Sequence, residues 1–522
     1  MHRRTLLAAA AATIAAPAVR AQPARVLRFV PYVDLAILDP VTNTASQTRT
    51  HAYLVWDTLY GLDAEYNPAP QMVEGHVMER DGRVWTLTLR PGLRFHDGAP
   101  VLARDAAASI RRWARNDGFG ATLMAATDAL ETPDDRTLRF RLNKPFPLLP
   151  DALGKISPHI LPIMPERIAA LPANKPVTEV VGSGPFRFLD RERVPGSRVV
   201  YERFEGYAPA GGAPGFTSGA KVAHFDRVEW IVMPEPSTAA AAIRTGEVDW
   251  LEAPPPDLLP PLRRDPNLVV RTYDQTGVVP ILRFNSTLPP FDNRAIRRAV
   301  LSAVQQQEFM TAFSDDADNC RPGFGCFCPG TPMATNVGLD QVGGAGIAAA
   351  RRAIEAAGYR NERVVVMGPT DHPVNSVMAQ VGADLFKKLG LNVDYQAMDA
   401  GTMFQRRGNR EGLDKGGWNV FPSAVGGVDV LNPAVSFLTR GNGRDGWYGW
   451  PEDAALEALR LAWYDAPDRA AQKAVCDRIQ LQTFSEAPYL PLGQILQPTV
   501  HRKGITGILP GFAKFWGVQR QG

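Results

Sequence analysis

Apolar and polar positions follow two rhythms along the chain. RVWTLTLR (83–90) and TLRFRL (137–142) place an apolar residue at every second position, the spacing of a half-buried strand. VVPILRFN (278–285) is instead almost continuously apolar up to Asn285, the signature of a strand buried on both faces. STLPPFDN then breaks the chain, and Asp292 or Asn293 is placed to cap a helix by accepting from the N–H groups of its first turn. RAIRRAVLSAV is that helix, with Ile296, Val300 and Ala303 on one face and Arg294, Arg297 and Arg298 on the other. A buried strand followed by a capped helix lets a chain leave one domain and found another, and a ligand is expected where Asn285 emerges.

The remaining pattern alternates strands with helices. Strands are predicted over 25–32, 225–233, 364–367 and 391–395, and PFRFLDRE and SRVVYERF predict a hairpin around Pro195-Gly196. Helices are predicted over 50–62, 102–113 and 236–245. Those over 347–357 and 377–389 end at Gly358 and Gly390, and each leads into a strand, a βαβ-like rhythm. A short buried strand is expected at 417–421, two helices at 451–463 and 467–486, and a strand at 488–496 that returns along the chain.

At 522 residues the chain exceeds what one core organises, so two or three domains are expected. The first 21 residues join a basic start (Arg3, Arg4) to a short apolar run, Pro17 and the small-residue site Val19-Arg20-Ala21, which reads as a cleaved secretory signal. That run is too short to span a bilayer. Arg3-Arg4 before Leu6-Leu7 resembles a twin-arginine signal, so export by either the Sec or the Tat route fits. Removing Arg3, Arg4 and Arg20 from the 57 basic residues leaves as many as the 54 acidic ones, and no whole-protein charge favours nucleic acid or anionic membrane.

Export permits disulfides. Cys320, Cys326 and Cys328 crowd into CRPGFGCFC, where a loop-closing bond from Cys320 to either Cys326 or Cys328 is expected. Zinc is disfavoured, because the run lacks a C-x-x-C pair and a nearby histidine. Cys476 stands alone in a helical segment as a small core residue.

Signatures of catalysis are missing. The chain has no G-x-S-x-G elbow, no H-E-x-x-H and no G-x-x-x-x-G-K loop. Gly344-Ala345-Gly346 opens a helix but follows no convincing strand, so a dinucleotide site is not supported. His96 and Asp97 are adjacent in a turn, where their side chains diverge and cannot relay a proton. Tryptophans among glycines (GGWN, GRDGWYGWPED) are more informative. Trp418, Trp447 and Trp450 sit in predicted loops, where aromatic walls commonly hold a small ligand.

Assembled in order, several runs resemble the family 5 solute-binding proteins of ABC importers, the dipeptide, oligopeptide and nickel receptor group. They are LDPVTNTAS with YLVWDTLYGLD, WTLTLRPGLRFHDGAPVLARDAAASIRRW, VGSGPFRF, RFNSTLPPFDNRAIRRAVLSAV, PGTPM, ARRAIEAAGY and PYLPL, spanning nearly all of the chain after the signal. The resemblance implies an α/β, periplasmic-binding-protein-like two-lobed fold (type II, cluster C-like) with an extra domain inserted in the first lobe. On that template 22–49, 181–275 and 489–522 form lobe I, 50–180 the inserted domain and 276–488 lobe II. Two strands crossing between lobes would form a hinge that closes over ligand.

The resemblance also directs attention to a cleft. Thr44 and Ala45 fall where the family's first lobe lines it. The dipeptide receptors place an Arg after the strand equivalent to 364–367, and His372 is nearest that position here. They place an Asp soon after a Gly-Trp, whereas Phe421 stands at that spacing and Asp429 follows later. A desolvated ammonium or carboxylate needs an opposite charge or several good hydrogen bonds, so both changes speak against an ordinary free peptide.

The expectation is therefore a monomeric periplasmic receptor, without catalysis, cofactor or metal, that passes a small organic or peptide-like solute to an inner-membrane ABC permease. Trp418 and Phe421 would give apolar contact, and Thr44, Ala45, Asn285, His372, Ser423 and Asp429 would line or orient the ligand. The rival readings are a di- or oligopeptide receptor with relocated charge anchors, a sensory solute receptor, and a secreted hydrolase, which would need a nucleophile–base pair.

Overall fold

The unbroken apolar run at 278–285 forms the strand Val278–Phe284, and six of its seven residues are buried. Antiparallel neighbours flank it, Val420–Gly426 along its whole length and Tyr489–Pro491 on the other side. In this computed structural model, which describes residues 25–172 and 174–521, that strand is central to a seven-stranded sheet. The signal predicted over 1–21 lies outside the described residues. Asn293, rather than Asp292, caps the next helix, Arg294–Leu301, accepting from Ala295 N–H.

A first seven-stranded sheet is built from distant parts of the chain. Its order is Leu268–Arg271, Thr499–Arg502, Trp250–Leu251, Val26–Val30, Arg227–Ile231, Arg198–Arg203 and Phe186–Phe188. The second has the order Cys320–Arg321, Gln494–Ile495, Val278–Phe284, Val420–Gly426, Arg363–Pro369 and Asn392–Met398, with Tyr489–Pro491 also on Val278–Phe284. The parallel pair Arg363–Pro369 and Asn392–Met398 is joined by the helix Pro373–Lys388, the βαβ unit that the sequence predicts. The two alternating strands, Val84–Leu89 and Thr137–Leu142, pair in a separate four-stranded sheet whose exposed face explains their polar positions.

Three expectations are corrected by tertiary contacts. The helix predicted over 50–62 is Ser46–Val55, and a strand follows at Tyr60–Leu62. Past Val55 the backbone bonds outside the helix: Gly184 N–H donates to Val55 O at 2.8 Å and Asp57 N–H to Ser183 Oγ at 3.1 Å. The glycines of VGSG allow this approach, since a Cβ on Gly182 would lie 1.8 Å from Val55 O. The strand expected at 417–421 runs instead as Val420–Gly426, because Trp418 and Asn419 are held by side-chain hydrogen bonds.

The third correction concerns the return crossing. Residues 488–496 split at Gly493 (φ +123°) into Tyr489–Pro491 and Gln494–Ile495, and both pieces pair in the second sheet. The chain rejoins the first sheet only at Thr499–Arg502, so the strands just past the boundary expected at 489 pair in the second sheet.

His96 belongs to the frame. Its Nδ1 accepts from Gly182 N–H at 3.2 Å, which leaves Nε2–H to donate to Gly184 O at 3.0 Å. Burial pushes the ring down to about 4, so it is neutral at neutral pH. Asp97 turns away, with its Oδ1 accepting from Ala99 N–H.

The expected disulfide is not formed. Cys320, Cys326, Cys328 and Cys476 are all free and buried. The sulfurs of CRPGFGCFC meet different neighbours: Cys320 is on an edge strand, Cys326 beside Tyr489 and Thr483, and Cys328 Sγ–H donates to Thr276 O at 3.4 Å. Glutamines close the loop instead. Gln306 Oε1 accepts from Gly323 N–H (2.6 Å) and Phe324 N–H (3.2 Å), and Gln480 Oε1 from Cys326 N–H (3.0 Å). Among the described residues no helix is long and apolar enough to cross a membrane.

Candidate functional site

Apolar strands placed in two separate sheets leave their loops facing one another, and a cavity of about 640 Å³ lies there. Tyr32, the turn 43–45, the first residues of the helix Ser46–Val55, Glu252 and Phe512 wall it from the first sheet. Val278, His372, Phe404, Arg407, Ser423 and Asp429 wall it from the second. The size suits a small organic ligand. A smaller apolar recess beside Pro254, Leu259, Phe313 and Leu496 shares Tyr32, Ala253, Val374 and Gln497 with the cavity.

Thr44, Ala45, His372, Ser423 and Asp429 are brought together at this cavity. Asn285, Trp418 and Phe421 are not. Asn285 is fully buried and its amide is spent on the chain: Nδ2–H donates to Trp418 O at 2.9 Å, and Oδ1 accepts from Thr287 N–H (3.1 Å) and its hydroxyl (2.7 Å). It terminates the strand rather than meeting a ligand. Trp418 and Phe421 are also fully buried, edge to face at 4.9 Å, in a core with Val365, Met367, Met403 and Trp450. Trp418 Nε1–H donates to Arg407 O at 3.1 Å, which satisfies its one polar atom internally. Glycine-flanked tryptophans thus plug the second half from behind.

Of the charged residues lining the cavity the sequence singles out Asp429; Arg49, Glu252, Asp274 and Arg407 carry no local signal. Arg49, on the helix Ser46–Val55, stacks on Phe512 with Cζ 4.9 Å from the ring centre. Its NH1 lies 3.6 Å from Asp429 Oδ1 and donates to Ser157 Oγ at 3.4 Å. Ser157 also hydrogen-bonds Asp429. Burial raises the Asp429 carboxyl, and Arg49 works against that rise. Glu252 accepts from Tyr32 N–H at 2.7 Å and Gln47 Nε2–H at 2.8 Å, yet burial still raises its carboxyl. Asp274 Oδ1 accepts from Thr276 N–H (2.8 Å), the Thr276 hydroxyl (2.6 Å) and Gly277 N–H (3.3 Å).

Arg407 lines the same cavity from the second half. Its Cζ lies 4.4 Å from the Tyr448 ring centre and 4.8 Å from that of Phe404. Nε has no hydrogen-bond partner among the described residues, and burial lowers the guanidinium. Nearby, His372 is tilted edge-on to Phe404 at 6.4 Å and caps the helix Pro373–Lys388 through Nδ1. Burial lowers its imidazole, which keeps the ring neutral. The arrangement orients polar groups and supplies charge. Among the described residues no group of three His, Cys, Asp or Glu side chains is placed to hold a metal ion.

The sequence and the fold both have known counterparts. Residues 67–447 match the model of "Bacterial extracellular solute-binding proteins, family 5 Middle". A Sinorhizobium fredii protein named "Probable peptide ABC transporter periplasmic-binding protein y4tO" is 35% identical over 493 residues, covering 93% of this chain and 92% of its own. The glutathione-binding protein GsiB of Pectobacterium atrosepticum is 25% identical, covering 97% and 96%. Among solved structures, DppA of Helicobacter pylori in complex with peptide STSA superposes with a TM-score of 0.78 at 20% identity, over 95% of this chain and 98% of that one. AgaA from A. tumefacien R10, in complex with agropinic acid, gives 0.77 at 20%, over 95% and 99%. These likenesses show a two-lobed binding-protein fold, and the chain belongs to the family 5 bacterial extracellular solute-binding proteins.

Proposed function

We propose that this chain is the periplasmic capture subunit of an ABC importer, taking a small organic solute into the cavity between its two sheets and delivering it unchanged to an inner-membrane permease. The observation that carries this reading is the shared lining: Thr44 and Ala45 from one half meet His372, Ser423 and Asp429 from the other. A site assembled from both halves gains contacts only when they close, which couples occupancy to shape. The segments 272–277 and 496–498 are the two links between the sheets and would serve as the hinge. We assign 25–55, 181–275 and about 497–521 to lobe I, 56–180 to an inserted domain and 276–496 to lobe II, because a boundary at 49 would cut the helix Ser46–Val55, which packs in the first sheet's core. The mature protein would act as a monomer, exported by Sec or Tat after cleavage near Ala21, and it would perform no chemistry on its guest.

A peptide ligand is the favoured second reading within this class. The 35% identical relative is named for peptides, and Asp429 lies in the cavity although it follows Trp418 at a longer spacing than the family pattern. Thermal melting of the purified protein against peptides, opines, sugars and metal chelates tests both readings. A true ligand above its dissociation constant raises the melting temperature by mass action. Turnover of any stabilising compound by the pure protein would overturn the receptor reading.

A further inference from the structure

The inserted domain meets lobe II at a seam that lies apart from the ligand cavity. A recess of about 50 Å³ marks it, with Tyr66, Phe119 and Asp151 on one side and Met333, Leu431 and Trp463 on the other. None of the residues around that recess lines the ligand cavity, whereas the hinge links do, through Tyr273, Asp274, Gly277 and Gln497. The Arg49–Asp429–Ser157 clasp stands between the two spaces. Arg49 and Asp429 line the cavity, and the residues beside Ser157 and just past Asp429 (Lys155, Ile156, Leu431 and Asn432) line the recess. The seam is therefore on the far side of the clasp from the hinge. Three contacts cross it. The Phe119 and Tyr464 rings lie 5.4 Å apart, and Lys144 Nζ is 3.2 Å from Asp465 Oδ1. Arg469 donates to Glu65 O at 3.4 Å and to Tyr66 O at 3.3 Å. Tyr464, Asp465 and Arg469 share one corner of lobe II, where the helix Ala454–Tyr464 turns into the helix Arg469–Glu486.

Resting on the receptor reading and the domain assignment above, we infer that the inserted domain is the far jaw of the clamp. Phe119, Lys144 and the turn 65–66 grip the corner 464–469 of lobe II, and this grip sets how firmly every guest is held without touching any guest. A contact far from a hinge parts at a small opening angle, so its whole free energy counts as a difference between closed and open states. The apparent affinity of a guest scales with the closed fraction. Cavity residues thus rank the guests, while these positioning residues multiply all affinities by one factor. The grip is made of modest pieces. Lys144 and Asp465 are 53% and 61% exposed, so their ion pair shifts the equilibrium by about two- to fivefold. The ring pair adds about as much again. Modest pieces suit the task, because a strong grip would shut the empty clamp and bar entry.

Charge reversal across the ion pair tests the grip on the purified protein, at two exposed positions where folding is not at stake. The probes are trialanine, glutathione, octopine and maltotriose. Lys144→Glu and Asp465→Lys should each weaken every probe that binds by one common factor, about three- to tenfold, and leave the ranking of the probes unchanged. The double variant restores the pair with its signs exchanged and should recover most of that loss. Small-angle X-ray scattering of the unliganded protein gives a readout that needs no guest. Each single variant should have a larger radius of gyration than the native protein, and the double variant should return toward the native value. Single variants that match the native protein in both affinity and scattering would overturn the far jaw. Losses that differ from probe to probe, or a double variant no better than the singles, would overturn it too. If none of the probes binds, the result counts against the receptor reading, and the scattering comparison alone decides the grip.

Discussion

Arg49 reaches Asp429 at 3.6 Å across the space between the two large sheets. One residue lies on the helix after the first strand and the other on the loop after Val420–Gly426. Ser157 joins both, so three distant parts of the chain meet at one clasp. Lys155 adds a weaker attraction to the same carboxylate.

Asp429→Asn strips this clasp of its negative charge and leaves the guanidinium, only 9% exposed, without its acid. The unliganded protein should lose about 1–3 kcal/mol in urea unfolding. Combining it with Arg49→Met should return part of that loss, because no orphan charge remains. An additive double variant would show that the two residues are not coupled.

Trp418 fills the core of the second half rather than the cavity. Trp418→Ala should therefore cost about 3–5 kcal/mol of stability, as large-to-small core changes do. Trp418→Phe should be milder and should keep the ligand-induced rise in melting temperature. A Phe variant that melts like the native protein but ignores ligand would place Trp418 at the site after all.

The neutral His96 ring gives the stability a pH dependence of defined sign. Its folded value, about 4, lies below the ordinary 6.5, so between those limits the unfolded chain takes up the proton that the folded ring refuses. Its contribution is complete above pH 6.5 and is lost as pH falls toward 4, by up to about 3 kcal/mol. Urea midpoints from pH 7.5 to 4.5 should fall more steeply for the native protein than for His96→Gln. Parallel slopes would remove His96 from the acid response.

The thiols supply a chemical check. All four cysteines are free and buried, so reductant should leave the melting temperature unchanged. A thiol reagent should find almost none in the folded protein and four after denaturation. Two missing thiols in the denatured protein would restore the disulfide expected within CRPGFGCFC.

Much of the frame was legible because it depends on local periodicity. The apolar run at 278–284 could only be a buried strand, and Asn293, the prolines and the glycines marked where helices begin and end. Thr44, Ala45, His372 and Asp429 were reachable through their place in the family pattern, and all four line the cavity. The direction of a side chain was not. Trp418 and Phe421 follow glycines and were expected to wall a ligand, yet the backbone turns both into a core, and Asn285 spends its amide on that same stretch.

By itself the sequence determined the alternation of strands and helices, the family and the absence of a familiar catalytic motif, since each is written in neighbouring residues. Only the tertiary structure decided which charges share a cavity and which cancel. Arg49 and Asp429, or Glu252 and Arg407, are far apart along the chain and look ordinary where they stand. Electrostatic energy depends on distance in space and on exclusion of water, and folding sets both.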